Sequence, residues 1–146
     1  MQTRFNSTRI ALFLVALVSL FSVAAKQTDN PKEATGFHGN VTGVVESAEA
    51  DGTSFILKVA TADADPGIRI NGEKLTGKTL CIGTRLPRDP DGKPKPHVDD
   101  VKWIQSLKPG TEVSVDLFAA KADPNVLRMK GPGEITKQAP TTAPAP

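Results

Sequence analysis

Between Val41 and Lys130 apolar residues recur at every second position in a series of short runs. This alternation limits what the chain can fold into, because a period of two suits a half-buried strand and misaligns on a helix. In Ser54 to Ala62, Phe55, Leu57 and Val59 point one way and Lys58 the other. Thr79 to Gly83 places Leu80 and Ile82 on one face and Cys81 on the opposite one. Glu112 to Ala119 sets Val113, Val115 and Leu117 together, and Val126 to Lys130 sets Leu127 and Met129 opposite Arg128 and Lys130. Val41 to Ser47 is β-branched and apolar, with Gly43 interrupting its alternation at the position of an expected bulge or bend. Asp51-Gly52 between the first two runs is a hairpin signal, and Asn71-Gly72 within Ile68 to Leu75 predicts a second, smaller hairpin.

One stretch breaks the pattern. Thr84 to Val98 carries Pro87, Pro90, Pro94 and Pro96, which forbid both regular helix and central strand, so a long loop is expected. Asp99 or Asp100 then caps a short helix over Val101 to Leu107, with Val101, Ile104 and Leu107 on one side and Trp103 alongside. Pro109-Gly110 ends it. The predicted order is therefore three strands, a short helix and two strands. An open sheet this small would leave its edges unpaired, and closure into a five-stranded barrel removes them. This mainly β layout, with GNVTGVVESAEADGTSFILKV and later VKWIQSLKPGTEVSVDLF, resembles small exported bacterial OB-fold domains. The resemblance lies in layout and in the LKPG-to-strand junction. It implies an OB-like fold with the helix between strands three and four, and fixes no function.

The termini read differently. Met1 to Arg9 is polar and cationic, and Ile10 to Ala25 is an uncharged apolar run ending in small residues, the form of a signal peptide cut after Ala25. An uncleaved anchor is the second reading, and only then would the chain stay on a membrane. As a helix, however, the run spans roughly 24 Å against a hydrocarbon core of about 30 Å. The domain reading is thus a signal peptide over 1–25, a flexible lead-in over 26–36, the barrel over 37–135 and a Pro/Ala/Thr-rich disordered tail over 136–146. Export to the periplasm or the extracellular space follows. It also changes the meaning of the charge: the chain has 18 Lys and Arg against 16 Asp and Glu, but Arg4 and Arg9 lie in the signal. What remains is formally neutral, which argues against a polyanion-seeking protein. Cys81 has no second cysteine to pair with, so the barrel rests on its own core, where Cys81 is expected as a small buried hydrophobe.

Chemical motifs are sparse. No nucleophile elbow, zinc-protease helix, Walker loop or dinucleotide fingerprint occurs, so no enzyme and no cofactor are expected. Single-strand nucleic acid binding needs aromatic platforms along a positive groove. Beyond residue 25 the only aromatics are Phe37, Phe55, Trp103 and Phe118, so nucleic acid is not an expected partner. Small periplasmic copper chaperones are similar in size, export and layout. Their site implies a Trp face, a His and Met thioethers on neighbouring strands. Here Trp103 falls on the helix, and the available soft ligands are Cys81, His38, His97 and Met129. They would make a Cu or Zn site only if folding gathered them. Asp89-Pro90-Asp91-Gly92 reads as a turn rather than a calcium loop. What remains is an exported binding or interaction module for an envelope protein or small ligand. Its expected contact residues are Arg85, Arg88, Lys93, Lys95 and His97 of the long loop.

Overall fold

The computed structural model describes residues 28–29, 35–119 and 126–141. The expected signal peptide lies outside these residues, as do most of the lead-in and the last five residues. Six strands are present: β1 (His38–Ala48), β2 (Ser54–Ala64), β3 (Thr79–Gly83), β4 (Glu112–Ala119), β5 (Leu127–Met129) and β6 (Glu134–Lys137). Helix α1 (Val98–Ser106) sits between β3 and β4.

Five strands close into a barrel in the order β1-β2-β3-β5-β4 and back to β1, with β3 and β5 parallel and every other pair antiparallel. The protein is a mainly β, OB-like barrel with one short helix between its third and fourth strands. Closure depends on β1, whose eleven residues pair with β2 along one edge and with β4 along the other. A strand that long must bend to serve both neighbours. The β1–β2 register shifts at Thr42/Gly43 and again at Val45/Ser47. Gly43 is required at the first shift, since a Cβ there would collide with the Lys58 carbonyl oxygen across the pair.

The alternating runs bury the faces they promised. Phe55, Leu57, Val59, Leu80, Ile82, Val113, Val115, Leu117, Leu127 and Met129 are all within the core. Ile104 and Leu107 of the helix end close one mouth, and Trp103 meets Phe55 edge to face at 5.6 Å. This is the favoured geometry for two aromatic quadrupoles. Cys81, expected to be buried, is only partly so, because its neighbours Leu80 and Ile82 take the inward positions of β3.

Three local expectations change. Residues 68–75 form no hairpin: Asn71 Oδ1 accepts the Glu73 N–H at 3.0 Å and caps a 3-10 turn over Gly72–Lys74 instead. That turn delivers Leu75 fully into the core. Helix α1 begins at Val98, three residues early, with His97 as its N-cap rather than Asp99 or Asp100. Finally, β6 is an element absent from the sequence reading. It pairs with β4 at Glu112 to Ser114, where β5 has already ended, and runs past the expected start of the tail. Asp29 of the lead-in exchanges two 2.8 Å hydrogen bonds with Thr79 at the start of β3.

Candidate functional site

The long loop is built as an ordered hairpin. Its backbone bonds form a ladder in which Lys95 N donates to Pro87 O, His97 N to Arg85 O and Asp89 N to Lys93 O. Residues 88 and 94 form an isolated antiparallel bridge. The prolines fit this ladder because Pro87 serves it only as an acceptor, while Pro94 and Pro96 alternate with the donors Lys95 and His97. Pro90 opens the tight turn, which Asp89 closes by accepting from Lys93 N at 2.8 Å and Gly92 N at 2.8 Å through its side chain and carbonyl respectively.

Asp100, fully buried in the first turn of α1, anchors the base of the hairpin. Its Oδ2 accepts from the Arg85 backbone N–H at 2.9 Å and from Nε at 3.0 Å, and Oδ1 accepts from Nη2 at 2.7 Å. The hydrogen bond to Asp100 raises the Arg85 guanidinium above its ordinary value. Burial opposes this, and the charges of Asp100 and Asp99 add to it. His97 shares the anchor. Its Nδ1 lies 3.2 Å from Arg85 Nη2 and 3.3 Å from the Asp99 N–H. Both neighbours are donors, so Nδ1 serves as an acceptor and the ring proton sits on Nε2.

The five expected contact residues therefore divide. Arg85 and His97 form the base: Arg85 keeps 31% of its side chain exposed and is spent on Asp100. Arg88 straps the turn, with Nη1 donating to Gly92 O at 2.7 Å, and remains exposed. Lys93 and Lys95 project into solvent. Beside them runs a groove of about 270 Å³ between Pro87, Pro96 and Val98, rimmed by Arg88, Lys95 and Asp99. Val98 is 58% exposed and Leu86 37%, so two apolar side chains flank the hairpin in water. Neither was singled out from the sequence. Asp100 is not the cap that its place before the helix suggests: with Ile104 and Leu107 it repeats at i, i+4 and i+7, the spacing of a buried helix face.

The four soft ligands are not brought together. Met129 is wholly within the core and Cys81 lies on β3 opposite Ile56. His38 packs its ring 6.1 Å from that of Phe118, and His97 caps α1. Among the described residues no three His, Cys, Asp or Glu side chains converge as metal ligands. A second polar grouping lies where β1 and β4 meet: Ser114 Oγ donates to Asn40 Oδ1 at 3.0 Å, and Asn40 Nδ2 donates to Asp116 Oδ1 at 2.9 Å. This chain has the order of a serine relay, but an amide oxygen is no base, so it orients groups rather than activating Ser114. No protein-family model and no curated protein matches the chain.

Proposed function

We propose that the chain is an exported, non-catalytic binding module of the cell envelope, of the kind suggested by its resemblance to exported bacterial OB-fold domains. Its recognition element is the hairpin over residues 84–98. One observation carries this reading. The hairpin is held from below by the ion pair of half-buried Arg85 with the fully buried Asp100, while Leu86, Val98, Lys93 and Lys95 are left in water above it. A loop ordered before it meets a partner loses little conformational entropy on docking, and the exposed apolar pair supplies contact area. Asp89 and Asp91, followed by Lys93 and Lys95, add electrostatic selectivity at the rim.

The test places a photo-crosslinking residue at the exposed Val98, beside the hairpin and outside residues 86–96, of the full chain in its native cells. One defined crosslinked product is expected, competed away by unlabelled protein and abolished when residues 86–96 are replaced by two glycines. That replacement retains Arg85, His97 and Asp100, so the melting temperature should change little. A crosslinking pattern indifferent to the replacement would overturn the assignment of the hairpin. Export is tested separately. N-terminal sequencing of protein from the envelope fraction should begin at Lys26, and recovery of the intact N-terminus from cytosol would refute it.

A further inference from the structure

The polar grouping on β1 and β4 belongs to a recess that the hairpin reading does not use. Asn40, Ser114 and Asp116 form its floor, and Lys130 and Glu134 stand at its sides. The turn Gly131-Pro132-Gly133, which joins β5 to β6, forms its wall. Its volume is about 380 Å³, within the range of small-ligand sites, roughly 300–1,000 Å³. The wall is fixed in place. At Gly133 even a Cβ would come within 2.6 Å of the Ser114 carbonyl oxygen and 3.0 Å of Trp103 Cζ2, so only glycine lets the turn lie this close to β4.

The floor is fixed too. The Asp116 carboxylate can only accept, which compels Asn40 to present Nδ2 to it and Oδ1 to Ser114. That leaves one amide hydrogen on Asn40, the lone pairs of Ser114 Oγ and the second carboxylate oxygen of Asp116 for a ligand. Lys130 Nζ is tethered to Asp65 Oδ2 at 2.6 Å and retains two further hydrogens. Donors and acceptors thus line the same recess.

We propose that this recess binds a neutral polyhydroxylated ligand, a sugar or a polyol. Each hydroxyl is at once a donor and an acceptor, so neighbouring hydroxyls can give to Asp116 while accepting from Asn40 and Lys130. An anion would meet Asp116 and Glu134, a simple cation would meet Lys130, and an apolar ligand would strand the polar floor without partners. This site stands independently of the hairpin.

The experiment is a titration of the ¹⁵N-labelled full chain, followed by amide chemical shifts, with glucose and with sorbitol. Alanine (as a zwitterion) and calcium chloride are the competing probes. Saturable shifts at Asn40, Ser114, Asp116 and Gly133 are expected with glucose or sorbitol, with Kd on the order of 1 mM. Asp116→Ala and Glu134→Gln should each weaken them several-fold. Glu134→Gln removes a charge that holds no other described side chain, so its spectrum should otherwise overlay the wild type. The proposal is overturned if neither glucose nor sorbitol gives saturation, if only alanine or calcium does, or if both variants bind as the wild type does.

Discussion

Asp100 is the one charged side chain among the described residues that is wholly withdrawn from water, and Arg85 is what makes that tolerable. Removing the guanidinium would leave a buried carboxylate unpaired, a change that typically costs about 3 kcal/mol or more. Arg85→Met should therefore lower the unfolding free energy by about that amount in urea titration. Arg85→Lys should recover only part of it, since an ammonium cannot copy the fork on both oxygens. The Asp100 hydrogen bond holds Arg85 above its ordinary value, so titration of the guanidinium itself leaves its contribution in place below that ordinary value and removes it as pH rises through the raised one. Asp51 behaves in the opposite sense. The Thr53 hydroxyl, at 2.7 Å, and then the Thr53 N–H, at 3.0 Å, hold its carboxyl below the ordinary 3.8. Its stabilisation of the β1–β2 turn is present above 3.8 and fades as pH falls through the lowered value. A ¹³C carboxyl titration should place Asp51 below 3.8, and Thr53→Val should move it back upward.

At the level of elements, the strands were legible because burial on one side of a pleat writes itself into alternate positions. Thr79 to Gly83 and Glu112 to Ala119 have the bounds that reading implied. Gly43 was legible as a break, and the structure supplies its reason in the Lys58 carbonyl. Gly43→Ala should cost about 1–3 kcal/mol through forced backbone shifts, seen as a lower melting temperature with an unchanged fold. The start of α1 was not legible, because histidine is an uncommon cap and two aspartates stood nearby. Likewise β6 escaped notice. Four mostly exposed residues carry almost no period, and they form a strand only because β4 has an unpaired edge beside them.

Across the whole molecule, β1 joins the two halves of the barrel and α1 covers one mouth. The hairpin over 84–98 and the β5–β6 turn meet near Arg85, whose Nη2 would lie 4.0 Å from a Cβ on Gly131. The anchor of one candidate site thus borders the wall of the other, and Arg85→Met should perturb amides in both when their shifts are compared with the wild type. The sequence by itself determined the five barrel strands, their inward faces, the disposition of the prolines and the neutral charge balance beyond residue 25. Each of these depends only on near neighbours along the chain and on the partition of side chains between water and core. Tertiary structure alone decided the β3–β5 pairing, the Arg85–Asp100 anchor and the recess around Asn40 and Asp116. Those contacts join residues as many as 76 positions apart, and no local period records which distant partner a buried polar group will find.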